Sequence, residues 1–112
     1  HTHLRNMGGI KDTAANLQDA IAGETHEFKS MYPGMIADAK AEGEKAAERG
    51  FTFANAVAEL HANLYAEAAK DVAGYPEKDW YVCSVCGYTV AGAVPDKCPV
   101  CQALAKAFFK VD

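Results

Sequence analysis

The first 82 residues of this 112-residue chain contain no cysteine, and all four cysteines lie between Cys83 and Cys101. A disulfide framework in a small domain normally spreads its bridges along the chain to compensate for a small core. Clustering of this kind favours a single metal site over two disulfides. Since free thiols persist in a reducing compartment, we expect a cytoplasmic protein.

The chain also lacks long hydrophobic runs and an excess of basic residues. No apolar stretch approaches the roughly 18 residues of a membrane span, and no signal-peptide pattern is present. The net charge of -4 argues against nucleic-acid binding, which usually needs a basic patch. Half of the residues are hydrophobic and 23% are charged, which is typical of a soluble globular protein without nucleic-acid or membrane partners.

The four cysteines form two short-spaced pairs, Cys83 with Cys86 and Cys98 with Cys101. A Cys-x-x-Cys pair places two thiolates on one tight turn, and two facing turns give a tetrahedral site for zinc or a single iron. Gly87 follows the first pair, where a left-handed backbone is often required. The spacing predicts a metal site without choosing the metal, and a purely structural zinc ribbon stays open.

β-Branched residues are scarce from about residue 13 to residue 72, where Ala, Glu, Lys and Leu dominate. This composition predicts two long helices, over about 13–42 and from a start within 44–51 to about 72. Gly43 and the Arg49-Gly50 pair are the expected breakers. Pro33 should kink the first helix or mark a local irregularity in it, and Asp12 or Thr13 should cap it.

After a loop at residues 73–76, aromatic and β-branched residues predict short strands around the cysteines. Each helix carries an apolar stripe, but a helical hairpin covers only one side of each stripe. Two further helices normally close such a bundle. The partner helices must therefore come from another chain or from a segment outside this sequence.

Three polar residues interrupt the apolar stripes. Glu24 lies within the stripe of the first helix, Glu27 follows one turn later on the same side, and His61 lies in the middle of the second stripe. A carboxylate on an apolar face is costly unless it is paired or bound to metal. The set indicates part of a carboxylate-bridged metal site, with a hydrogen-bonded core histidine and a solvated carboxylate edge as the alternatives.

Taken together, these residues resemble the rubrerythrin family, ferritin-like di-iron proteins with a C-terminal rubredoxin-like domain. Residues 16–28 with Met31-Tyr32-Pro33 are similar to the third helix of the family's bundle, and residues 61–65 are similar to part of the fourth. Residues 83–88 and 98–101 are similar to its rubredoxin-like module.

The resemblance implies a mainly α fold, in which two long antiparallel helices form half of a ferritin-like four-helix bundle. A small rubredoxin-like metal-binding β domain follows. The expected division has three parts: a lead-in over residues 1–12, a helical hairpin over 13–73 and the rubredoxin-like domain over 78–112. The lead-in is similar to the tail of the family's second helix. The first two bundle helices of the family are missing from this sequence.

The resemblance also implies an oxidoreductase, a non-haem iron peroxidase that reduces hydrogen peroxide at a di-iron site. Electrons would come through an Fe(Cys)₄ centre at Cys83, Cys86, Cys98 and Cys101, where zinc could stand in place of iron. Glu24 would be an iron ligand, Glu27 a carboxylate that moves on and off iron, and His61 the imidazole ligand. These three residues would also be the catalytic ones.

The family further implies a homo-oligomer, such as a dimer with swapped or shared helices, and a redox donor protein. In one respect the chain departs from the pattern. The family's fourth helix carries Glu-x-x-His, but Ala58 stands three residues before His61. Glu59 is about 200° around the helix from His61 and is poorly aimed. A non-catalytic rubredoxin-like electron carrier is therefore the alternative function.

Overall fold

The computed structural model describes residues 1–112 and is mainly helical, with a small antiparallel sheet at the C-terminus. This agrees with the predicted fold class. The helices and strands are α1 (Thr2–Asn6), α2 (Thr13–His26), a π-helical segment (Glu27–Met31), α3 (Tyr32–Ala41), α4 (Lys45–Lys70), β1 (Trp80–Cys83), β2 (Thr89–Ala91) and β3 (Phe108–Val111). No helix is both long and apolar enough to span a membrane.

The first long helix begins at an N-cap supplied by Asp12. Its side chain accepts a hydrogen bond from the Ala15 amide at 2.8 Å, which satisfies one of the free N–H groups of the first helical turn. From this cap, α2, the π-helical segment and α3 follow one another without a break. Asp12 is one of the two caps that the sequence predicts.

The predicted irregularity near Pro33 is confirmed as a π-helical segment. Pro33 has no amide hydrogen, so it cannot donate to the carbonyl of Lys29 four residues earlier. Just before it, the Tyr32 amide donates to the Glu27 carbonyl five residues back. The helix is therefore locally widened from Glu27 onward, and π-helical turns of this kind are frequent at functional sites.

A tight turn at residues 42–44 joins α3 to α4. Gly43 occupies its left-handed position with a φ of 73°, as its predicted role as a breaker requires. The prediction that the Arg49-Gly50 pair is also a breaker was wrong, because α4 runs through Gly50. An interior helical glycine costs only about 1 kcal/mol relative to alanine, and α4 packs against both α2 and α3.

The helical hairpin buries few large side chains. Six residues of the chain are buried, namely Ala39, Val57, Ala58, Ala62, Cys83 and Cys98. No leucine, isoleucine, phenylalanine or methionine is among them, and Met35 on the first stripe is 38% exposed. The helices therefore keep apolar surface open, as expected for half of a bundle.

The C-terminal sheet has the strand order β2-β1-β3, with antiparallel pairing on both sides of β1. In this register Val82 faces Thr89 on one side and Phe109 on the other. Tyr88 and Phe108 pack edge to face, with ring centroids 6.3 Å apart. The sheet thus holds the end of β1, and with it Cys83, between its two neighbours.

Each cysteine pair closes the same kind of turn. The Gly87 amide donates to the Cys83 carbonyl at 2.8 Å, and the Gln102 amide donates to the Cys98 carbonyl at 3.0 Å. Both residues that follow the second cysteine are left-handed, with φ of 84° at Gly87 and 65° at Gln102. The two turns are equivalent in backbone shape, but only the first uses glycine.

We expect Gly87→Ala to lower the thermal unfolding midpoint of the metal-loaded protein. A left-handed backbone costs an L residue about 1–2 kcal/mol. The added Cβ would lie 3.5 Å from Val57 Cγ1, an ordinary contact, so the cost arises from the backbone. The matched control is Gly23→Ala in α2, where nothing lies within 4 Å of the new Cβ. It should stabilise by up to about 1 kcal/mol. Equal midpoints for Gly87→Ala and wild type would contradict the expectation.

Candidate metal centre and the helix residues beside it

The four cysteine sulfurs converge on one point between the two turns. All four lie within 4.8 Å of one another, with Cys83 3.7 Å from Cys101 and Cys86 3.5 Å from Cys98. A disulfide requires about 2.05 Å between sulfurs. Tetrahedral metal–sulfur bonds of about 2.3 Å instead place sulfurs about 3.8 Å apart. The spacing therefore fits one four-coordinate metal ion, as the sequence predicts.

Backbone amides point at the sulfurs and favour thiolates. Burial raises the pKa of the Cys86 thiol, while a hydrogen bond from the Tyr88 amide acts in the opposite direction. At Cys98 burial also opposes ionisation, yet hydrogen bonds from the Cys101 and Val100 amides bring its pKa below the ordinary value. The amide hydrogen bonds therefore offset part of the cost of burying thiolates, the form in which cysteine binds a metal.

On the helices, the structure brings Glu24 and His61 together. The Glu24 carboxylate oxygen Oε1 lies 3.3 Å from His61 Nδ1, and the two side chains are 19% and 25% exposed. Burial raises the pKa of Glu24, and the negative charge of Glu27 raises it further, whereas His61 acts in the opposite direction. Glu27 therefore lies close enough to Glu24 for their charges to interact.

The other ring nitrogen of His61 contacts the metal-binding unit. His61 Nε2 lies 3.2 Å from the Gly87 carbonyl oxygen and 3.1 Å from Thr89 Oγ1. A carbonyl oxygen can only accept a hydrogen bond, so Nε2 is the donor in this contact, and Nδ1 faces Glu24. Histidines that bind a metal through one nitrogen commonly donate the other N–H to a backbone carbonyl in this way.

The helix donors do not form a complete metal site within this chain. The four cysteines are the only group of three or more potential ligands whose donor atoms converge. Ala58, at the position of the family's glutamate, is buried at 3% exposure. Glu59 is exposed, in line with its expected direction away from His61. The roles assigned to Glu24, Glu27 and His61 stay predictions.

A cleft of about 470 Å³ opens between α4 and the sheet. Its walls are mainly apolar, with Leu64, Trp80 and Val82 among them, while His61 and Thr89 add polar groups. His61 and Thr89, which contact each other, thus lie at the wall of a largely apolar cleft. The cleft itself has no counterpart among the sequence predictions.

Two residues of the site were missed by sequence reasoning. Thr89 meets His61 across 28 positions of sequence, and no local pattern reveals a contact of that range. Gln102 is left-handed without being glycine. Its position directly after Cys101, equivalent to that of Gly87 after Cys86, was a signal available in the sequence.

Comparisons with known proteins cover nearly the whole chain. The family model described as "Rubrerythrin" matches residues 4–69, and the model "Rubrerythrin, rubredoxin-like domain" matches residues 81–109. Rubrerythrin-2 of Clostridium acetobutylicum is 40% identical over 96 residues, covering 83% of this chain and 52% of its own length. Rubrerythrin of Nitratidesulfovibrio vulgaris is 33% identical over 110 residues, covering 93% and 57% respectively.

Solved structures give the same result for the fold. The structure of nigerythrin in its mixed-valent state superposes with a TM-score of 0.83 at 31% identity, covering 90% of this chain and 50% of that one. Its partially reduced state gives a TM-score of 0.84 at 30% identity, with 91% and 51% covered. The chain spans about half the length of the curated relatives it matches. On its sequence and its fold, this chain belongs to the rubrerythrin family.

Proposed function

We propose that this chain takes part in the reduction of hydrogen peroxide as a rubrerythrin-type non-haem iron peroxidase. The observation that carries the proposal is the contact of His61 with both Glu24 and the Cys86–Thr89 loop. It joins a carboxylate–imidazole pair on the helices to the turn that holds a four-thiolate site. This arrangement suits a protein that passes electrons between two metal centres.

At the four cysteines the residues fit a single iron. The sulfur spacing suits a tetrahedral ion, and the amide hydrogen bonds favour thiolates. Zinc would fit the same geometry, but zinc has no redox chemistry. Membership of a family whose relatives include nigerythrin structures at different stages of reduction supports iron.

On the helices the donors fit a di-iron site in kind but not in number. Di-iron bundles of this type use four glutamates and two histidines, whereas this chain offers Glu24, Glu27 and His61. We therefore propose that other helices complete the bundle, from a second copy or from another segment, in a homo-oligomer such as a dimer with swapped or shared helices. The expected helical hairpin (13–73) and rubredoxin-like domain (78–112) would act as its two functional parts.

Bound iron would supply one-electron transfer at the cysteines and two-electron reduction at the helix site, where peroxide takes up two electrons and two protons to yield two waters. The chain's own residues would then have separate tasks. His61 is held by Gly87 and Thr89 with Nδ1 toward Glu24. Burial favours the protonated form of Glu24 in the metal-free protein, so binding of iron by its carboxylate would release that proton.

A second candidate is a non-catalytic rubredoxin-like electron carrier. It is favoured by the buried Ala58 and the exposed Glu59, which leave α4 without a carboxylate next to His61. In that case the helices would serve only in assembly. A redox donor protein in the cytoplasm would be the partner in either case.

We expect protein isolated under reducing conditions to contain iron at the cysteine site. The oxidised centre should be red, whereas a zinc form is colourless. Cys98→Ser should abolish the colour, because it removes one of the four converging sulfur ligands, and a fully buried one. Metal analysis and absorption spectra check this. One zinc per chain and no iron, in protein expressed with both metals supplied, would support a structural ribbon instead.

Replacing Glu24 with alanine should lower peroxide turnover by the assembled protein by at least about tenfold, since even outer-shell partners of metal ligands carry effects of that size. The red centre should be retained, because Glu24 does not touch the cysteines. The control is Glu59→Ala, an exposed glutamate on α4, which should keep full turnover. Unaltered turnover in Glu24→Ala would show that Glu24 is not a ligand.

Glu24→Gln should change how stability depends on pH in protein that carries one zinc at the cysteines. The pKa of Glu24 is raised above 4.5 in the folded protein, chiefly by burial. The folded state therefore binds this proton more tightly, and the free energy of unfolding falls as the pH rises above 4.5. In Glu24→Gln the free energy of unfolding should therefore decrease less with rising pH than in wild type, whereas in Glu59→Gln it should decrease as in wild type. Urea unfolding between about pH 5 and 8 measures it; identical profiles for Glu24→Gln and wild type would contradict the raised pKa.

A further inference from the structure

The peptide group between Gly87 and Tyr88 connects the helix residues to one cysteine sulfur. Its carbonyl oxygen, on Gly87, lies 3.2 Å from His61 Nε2. It also accepts a hydrogen bond from the Thr89 hydroxyl at 3.0 Å. Its N–H, on Tyr88, donates to the Cys86 sulfur. One rigid, planar amide therefore has two donors on its oxygen and a metal-binding thiolate on its hydrogen.

Hydrogen bonds that share an amide strengthen one another. A donor on the carbonyl oxygen polarises the peptide group and makes its N–H a better donor, because linked hydrogen bonds are cooperative. His61 and Thr89 thus strengthen the hydrogen bond to Cys86 without touching the sulfur. In the second turn the Ala103 amide donates to Cys101 in the same way, but no helix side chain donates to the Gln102 carbonyl. The effect is specific to the Cys86 side.

We infer that His61 and Thr89 raise the reduction potential of the four-cysteine centre by polarising the Gly87–Tyr88 peptide group within the same chain. This inference rests on the proposed iron at the cysteines. Reduction of ferric to ferrous iron takes up one electron and adds one negative charge to the metal–thiolate set. Hydrogen bonds to the sulfurs stabilise the more negative state and so raise the potential.

Both residues act here as positioning residues. The Thr89 hydroxyl is hydrogen-bonded to His61 Nε2 and donates to the Gly87 carbonyl oxygen. His61 polarises the peptide group from α4. A change in charge at the Glu24–His61 pair would therefore act on the Cys86 sulfur through the His61 ring and the Gly87–Tyr88 peptide group. The electronic state of the helix site is in this way linked to the potential of the electron-transfer site.

Redox titration of the iron-loaded protein tests the inference, with the visible absorption of the four-cysteine centre as the readout. Thr89→Val and His61→Phe should each shift the midpoint potential to a more negative value. Thr89→Ser, which keeps the hydroxyl, should restore the wild-type potential. The matched histidine control is His26→Phe, an exposed position on α2, which should leave the potential unchanged. An unchanged potential in both Thr89→Val and His61→Phe would overturn the inference.

A second measurement does not depend on iron. In zinc-loaded protein, the Tyr88 amide proton should move upfield in ¹H–¹⁵N spectra of Thr89→Val, because its hydrogen bond to Cys86 weakens. The Ala103 amide serves as the internal control and should not move. A Tyr88 amide that stays in place would contradict the inference. If the protein binds no iron but the Tyr88 amide shifts, polarisation of the Gly87–Tyr88 peptide group is supported and the proposed function fails.

Discussion

Convergence of the four cysteine sulfurs is the constraint on which the C-terminal unit depends. Apart from Cys83 and Cys98, nothing in this unit is fully buried, so its three short strands have little buried apolar surface to stabilise them. Metal binding at structural four-cysteine sites contributes about 10–16 kcal/mol. An ion held by the four sulfurs would fix the turn at Gly87, whose carbonyl oxygen lies 3.2 Å from His61 Nε2.

The helical half leaves both apolar and polar side chains partly uncovered. Glu24 and His61 occupy an apolar stripe where their burial costs free energy, and their mutual contact offsets only part of it. Such a pair is retained where a metal or a partner uses it. Large apolar side chains on both helices also stay partly exposed, so the additional helices that we propose would both stabilise the hairpin and complete its site.

Much of this could be predicted from the sequence, for physical reasons that differ between elements. The cysteine site was predictable because short spacing limits where the thiols can go, and the cap at Asp12 and the π-helical segment before Pro33 follow from local backbone chemistry. The uninterrupted α4 could not be predicted, because packing against α2 and α3 outweighs the low helix propensity of Gly50. Nor could Thr89 and the cleft beside it, since they arise from packing between residues far apart in sequence.

We propose that His61 joins the helix site and the four-cysteine site within one chain. A crystal structure of the iron-loaded, assembled protein tests it most directly. We expect His61 Nε2 to lie within hydrogen-bond distance of the Gly87 carbonyl oxygen of the same chain, with Nδ1 directed at Glu24 and the metal. A His61 whose Nε2 faces solvent, or that contacts Gly87 only of a neighbouring chain, would contradict the account.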